Sequence, residues 1–194
     1  MLDLGLPARQ MANLLDRVAD GQLTAPTPCD EYTLGDLIDH VGGLSQAFTA
    51  AARKELGPES SQGPSGDAAH LGQDWRTRIS EQLAALVEAW RDPSAWEGMT
   101  QAGGVDLPAD VAGRVTLNEL IIHGWDLARA TGQPFDCDTK ALEACWELLA
   151  ERATADQEAG DDDPFGPVVD VPADAPLLDR LIGLSGRKPS WTAA

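Results

Sequence analysis

The chemistry-bearing residues of this chain are few, and three of them make a ligand set. Histidine occurs only at positions 40, 70 and 123. Glu119 and His123 are four residues apart, so on a helix they stack on one face. A carboxylate and an imidazole in that relation can grip one cation. His40 follows Leu37 by three residues and precedes Leu44 by four, on or beside an apolar helical stripe. Two imidazoles and one carboxylate suit Zn²⁺, and also Ni²⁺ or Fe²⁺. Three protein ligands leave coordination positions open, as catalytic metal sites do. The same spacing also fits a Glu on an exposed helix and a hydrogen-bonded core histidine, so spacing alone leaves both readings standing. The sequence contains no HExxH, so nothing favours a zinc peptidase.

The remaining candidates read more simply. His70 lies in a breaker-rich stretch and reads as surface. Cys29 sits just before a helix start, where a thiol can be activated. The weightier reading is a buried structural cysteine. Cys137 and Cys145 also read as structural. Three cysteines without a CxxC pair exclude a disulfide framework and a cysteine zinc knuckle. Trp125 reads as packing. Asp126 has two readings, a partner that orients a ligand imidazole or a residue that caps or pairs locally. Arg129 reads as solvated or salt-bridged rather than as a contact for an anionic substrate.

Helices must position these groups. Met11, Leu14, Leu15 and Val18 share one face, and Gly21 closes that first helix. Pro26 and Pro28 then break the chain. Thr33, with Asp36 three residues on, predicts a capped helix start. The second helix is predicted from Leu34 to Lys54 and carries His40. A Gly-, Pro- and Ser-rich loop follows, from Gly57 to Gly66. The third helix is predicted from Trp75 to Arg91, with Ile79, Leu83, Leu86, Val87 and Trp90 inward. A short irregular hairpin is expected around Trp96–Leu107. Pro108 then opens a fourth helix, Ala109–Thr131, closed by a left-handed Gly132. A fifth covers Thr139–Ala153, and a short apolar one Ala175–Leu184. The acidic run at 158–164 reads as a solvated loop. Helices without alternating strands predict a mainly all-α chain, an antiparallel bundle with up-and-down neighbours. Residues 1–156 would form the bundle and 157–194 a C-terminal extension packed on it.

Bulk properties narrow the function classes. The 194 residues suit one domain, and 43% hydrophobic content suffices for its core. With 14 Lys and Arg against 32 Asp and Glu, the formal charge is −18. Such a surface repels nucleic acid and anionic lipid. The N-terminus lacks a basic segment followed by an apolar run, and no stretch approaches the roughly 18 apolar residues of a membrane span. Cytoplasm is the expected location.

The motifs TPCDEYTLGDLIDH and NELIIHGWDLARATG resemble the mycothiol-dependent maleylpyruvate isomerase N-terminal family, within the DinB-like group of metal-binding four-helix bundles. That family shows a Thr-Pro-Cys turn, an aromatic residue, a helix reading Leu-x-x-His and a later helix reading Glu-x-x-x-His. The aromatic is usually Trp, and here it is Tyr32. The tail FGPVVDVPADAPLLDRLIGLSGRKPSW is similar to an actinobacterial subfamily of metal-binding proteins. The resemblance implies a DinB-like bundle whose metal ligands are His40, Glu119 and His123, with zinc the expected ion. It implies mycothiol, or another small thiol, as cosubstrate. Its chemistry would be thiol-dependent transfer or isomerisation of a small electrophile through a thiolate held by the metal. The family's isomerase carries a second, C-terminal domain for which this chain is too short. A homodimer mate or the tail would then complete the site. Two other functions fit the same ligand set, a metal-dependent hydrolase and a non-catalytic module that the metal merely stabilises.

Overall fold

The computed structural model describes residues 1–55, 57, 63, 65–155 and 167–193, the side chains of 152–155 excepted. Six helices and one hairpin make up the ordered elements among them. They are α1 (Gly5–Asp16), α2 (Leu34–Arg53), α3 (Trp75–Trp90), strands β1 (Met99–Ala102) and β2 (Val105–Pro108), then α4 (Ala109–Thr131), α5 (Thr139–Ala155) and α6 (Leu177–Leu184).

The helix boundaries follow local chemistry. At the start of α2 the Thr33 hydroxyl accepts from the Asp36 N–H, and the Asp36 carboxylate accepts from the Thr33 N–H at 3.0 Å. Two otherwise orphaned donors are thereby satisfied. Lys54 ends α2 in the left-handed region at φ 57°. Gly132 ends α4 at φ 68°, where a side chain is unfavourable. Helix α6 begins at Leu177, two residues later than the apolar pattern predicts, because Pro176 occupies the cap position. Helix α5 runs two residues further than predicted. Both the predicted acidic run and the proposed boundary at 156 lie outside the described residues, as does most of the Gly57–Gly66 loop.

Helices α1 to α4 form a four-helix bundle in which α2 packs on α3 and α4, and α1 packs on the same two. Helix directions come from the pairings. His40 meets His123 while the Phe48 end of α2 meets Thr116, so α2 and α4 are antiparallel. Gly5 lies against Val87 whereas Arg76 donates to the Val18 carbonyl, so α1 and α3 are antiparallel. Gly42 faces Ile79 and Trp90 donates to the Phe48 carbonyl, so α2 and α3 run the same way. Simple alternation from one helix to the next therefore fails at α2–α3. A twenty-residue helix is about 30 Å long, and the long connection from Arg53 to Trp75 has the reach to return along it.

The core is continuous and aliphatic, including Leu15, Leu34, Leu37, Ile38, Ile79, Leu83, Leu117 and Ile121, with Trp90 buried at one end. The hairpin is regular rather than irregular. Gly103 and Gly104 both take positive φ, at 59° and 80°, as a tight two-residue turn requires. The Thr100 hydroxyl pins the hairpin to the Ala51 carbonyl at 2.6 Å. At the other end of the bundle, α6 packs on α5, where Arg180 stacks over Trp146. No helix among the described residues is long and apolar enough to cross a membrane.

Candidate metal centre

His40 projects from α2 toward α4, and Glu119 and His123 project from successive turns of α4. One donor atom from each of the three lies within 4.8 Å of the others. His123 Nε2 is 3.1 Å from Glu119 Oε2, and the two imidazole rings stand nearly perpendicular, with centroids 5.0 Å apart. Donors bound at 2.0–2.1 Å in a tetrahedron stand about 3.4 Å apart. The observed separations, 3.1 Å for the Glu119–His123 pair and within 4.8 Å for all three, bracket that spacing. Among the described residues no fourth His, Cys, Asp or Glu joins the cluster.

A second group of residues orients the first. Asp126, fully buried one turn beyond His123, faces its Nδ1 at 3.1 Å. That contact suits a proton on Nδ1, so Nε2 is the nitrogen from which a metal would displace a proton in order to coordinate. Asp126 thus pairs with His123 across one helical turn, an arrangement that fits both the orienting and the local-pairing reading of the sequence. The same carboxylate oxygen accepts from Arg187 Nη2 at 3.2 Å, while Arg187 Nη1 donates to the Ser185 carbonyl. Arg187, after α6, is the residue that sequence reasoning missed. Its only signal was an arginine beside the apolar end of the tail, in a chain poor in basic residues.

On the α2 side the Thr-Pro-Cys turn shapes the approach to His40. The buried Thr27 hydroxyl donates to the Tyr32 carbonyl at 2.8 Å, and the Tyr32 ring lies 5.1 Å from the His40 ring. The Tyr32 hydroxyl meets the Gly66 backbone, and burial raises its pKa.

Residues 4–128 match the family model of the mycothiol maleylpyruvate isomerase N-terminal domain. The chain belongs to that family. Two Mycobacterium tuberculosis relatives, the uncharacterized proteins Rv0738 of strain H37Rv and MT0763 of strain CDC 1551, are each 32% identical over 179 residues, which is 91% of both chains. Among solved structures, a mycothiol-dependent maleylpyruvate isomerase superposes with a TM-score of 0.70 at 19% identity, covering 96% of this chain and 88% of that one. A histidine-to-alanine mutant of such an isomerase gives 0.65 at 18% identity, covering 96% and 87%. The expectation that this chain is too short for the isomerase's full architecture thus meets a fold match over most of that structure, tail included.

Other family-motif residues take structural places. Cys29 is half-buried, and burial raises its thiol pKa even though the Arg187 charge opposes the shift. It is a thiol at neutral pH, as the structural reading holds. Burial likewise pushes Cys137 up to about 12 and Cys145 higher still. Trp125 is buried in the core. Arg129, part-buried, stacks over Trp125 and donates to the Pro189 carbonyl, so it fastens the tail, and it makes no salt bridge among the described residues. His70, with 70% of its side chain exposed, lies on the surface beside Asp39 and Asp67.

The metal-free centre is a proton trap. Burial works to lower the His123 pKa, but the hydrogen bonds and charges of Asp126 and Glu119 outweigh it and raise the value to about 9. Burial works to raise that of Glu119, yet His123, His40 and Arg187 hold it below the usual carboxylate range. A raised imidazole pKa stabilises the metal-free fold fully below about pH 6.5, and that contribution is lost as pH rises through about 9. A metal must displace the same proton. Metal affinity is therefore expected to rise about tenfold per pH unit from 7 to 9 and then level off. Calorimetric titration in buffers of different ionisation enthalpy should count nearly one proton released at pH 7.5. A count of zero there would contradict the assignment.

Proposed function

We propose that this chain binds one divalent metal ion, with zinc the best fit, through His40, Glu119 and His123. It serves there as a thiol-dependent transferase or isomerase for a small electrophile, with mycothiol as cosubstrate. The carrying observation is the convergence of three donor atoms from two helices, with the Nδ1 side of His123 held by Asp126 and its Nε2 turned to Glu119. Family membership supplies the thiol, since the solved neighbours are mycothiol-dependent isomerases.

The donor set suits that role. Two neutral imidazoles and one carboxylate leave a divalent ion with a net charge of +1, which one thiolate cancels. A cation so held lowers the pKa of a thiol and stabilises its anion. The protein's own groups do the positioning. Asp126 keeps the His123 Nε2 lone pair turned toward Glu119 and His40, and Arg187 balances the Asp126 charge in the low-dielectric interior. The cosubstrate's thiolate would form a bond to one carbon of an electrophilic double bond, its π pair moving onto the electron-withdrawing group. Uptake of the thiol's proton at the adjacent carbon would give a conjugate. Rotation about the new single bond, return of the pair to re-form the double bond and departure of the thiolate would give the cis–trans isomer.

Cobalt substitution tests this reading. Adding mycothiol to the Co²⁺ protein is expected to produce a sulfur-to-cobalt charge-transfer band, and model electrophiles should turn over only when metal is present. An unchanged spectrum at saturating thiol, with no metal-dependent turnover, would leave a module whose metal only pins its helices.

A further inference from the structure

Beside His40 the chain returns to α2 in a segment that contributes no ligand. Residues 66–70, ahead of α3, lie along the first turns of α2. The Ala68 N–H donates to Asp36 Oδ1 at 2.8 Å, and the Asp67 N–H donates to Asp39 Oδ2 at 3.2 Å. A further tie is Tyr32, whose hydroxyl hydrogen-bonds the Gly66 backbone. That bond favours the phenolate against the effect of burial, so the Gly66 N–H is its donor. Gly66 comes so close to α2 that a Cβ there would collide with the Asp36 carbonyl and stand 3.2 Å from the His40 Cβ.

The Tyr32 backbone is fixed from the other side. Its N–H donates to the Cys29 carbonyl at 2.9 Å, and its carbonyl accepts from the buried Thr27 hydroxyl at 2.8 Å. Thr33, next to it, pairs with Pro26. The aromatic ring is thus held at both ends, and it stands 5.1 Å from the His40 ring, tilted by 43°. With Gly66 beside its Cβ and Tyr32 beside its ring, His40 meets one continuous wall. An imidazole on a helix otherwise has several staggered rotamers open to it, and ordering it on binding costs entropy. His123 is held by a different device, the Asp126 carboxylate at its Nδ1.

We propose that Tyr32 is a positioning residue of the metal centre: latched to Gly66, it holds the His40 imidazole in the orientation that coordinates. The proposal rests on the metal reading of the triad. Tyr32 is not itself one of the ligands, so its effect passes through His40.

The test breaks the latch from each half. Tyr32→Phe keeps the ring and removes the acceptor, whereas Gly66→Ala keeps Tyr32 and forces residues 66–70 away from α2. Titration with Zn²⁺ is expected to show affinity about fivefold weaker in Tyr32→Phe, the weight of one ordinary hydrogen bond. Gly66→Ala should weaken it about tenfold, the lower end of what losing an outer partner of a ligand costs. The double variant should be no weaker than Gly66→Ala alone, whereas independent effects would multiply to about fiftyfold. In EDTA, without metal, the His40 ring-proton NMR signals should shift in both single variants, and by more than those of His123. Unchanged His40 signals in both, unchanged zinc affinity in both, or multiplied losses in the double variant would overturn the proposal. A lower melting temperature with His40 signals and zinc affinity intact would likewise reduce the latch to a structural clasp. Should Gly66→Ala fail to fold, Tyr32→Phe, which adds no volume, decides by the same two readouts. If the wild type took up no zinc, the metal reading would fall, while the His40 signals in EDTA would still judge the latch.

Discussion

Replacing His40 or His123 by alanine is expected to lower divalent-metal affinity by more than about a hundredfold. Losing even an outer partner of a ligand costs about 10–100-fold, and losing a ligand must exceed that range. Each change leaves two donors, too few to hold a cation tightly in the open. Glu119→Gln keeps the volume but removes the negative charge that offsets the cation, so it should fall in the same class. The informative contrast is Asp126→Asn, which leaves all three donors in place and disturbs the His123 tautomer and the Arg187 ion pair. It should weaken binding within the 10–100-fold range, the loss of the Arg187 pairing on the same carboxylate included. Titration of metal-free protein with Zn²⁺ against a chelator of known affinity measures all four. Wild-type affinity in both His40→Ala and His123→Ala would dispose of the metal centre. Their circular dichroism should stay helical, because the bundle core is aliphatic and does not run through the triad.

Arg187→Ala is expected to produce the largest loss of stability, about 3–5 kcal/mol. Asp126 has no solvent exposure, and Arg187 is its only cationic partner apart from a protonated His123. Removing one member of a buried pair strands the other charge in a medium that solvates it poorly. For a chain of this size that corresponds to a fall in melting temperature of roughly 6–20 °C. The cost belongs to the stranded carboxylate and not to the lost arginine as such. Combining Arg187→Met with Asp126→Leu should therefore recover most of the stability. It should not recover metal affinity, because His123 then lacks its orienting acceptor. Thermal melts and metal titrations on the single and double variants separate the two effects. A melting temperature within about 2 °C of wild type in Arg187→Ala would mean that the tail contributes nothing to holding the site.

Much of the bundle was legible because its signals are local. The start of α2 is written in Thr33 and Asp36, whose side chains reach only three residues. The ends of α2 and α4 fall where a left-handed residue stops the helix. Glu119 and His123 are neighbours by helix geometry alone, whatever the rest of the chain does. The apolar stripes on α2 and α3 name the buried faces correctly. They do not say which faces meet, or in which direction. That α2 and α3 run parallel depends on a long connection whose path no periodicity encodes.

By itself, then, the sequence determined the helices, their inner faces, the pairing of Glu119 with His123 on one helix, and the acidic surface. These are consequences of a 3.6-residue period and of side chains that touch within one turn. Only the tertiary structure decided that His40 faces that half-site across the α2–α4 interface. Only it placed Arg187 against Asp126, 61 residues away in sequence, and gathered apolar side chains of four helices beneath Glu119. Such contacts are set by the docking of whole elements, where burial of aliphatic surface dominates, and a single buried ion pair leaves no periodic trace in the chain.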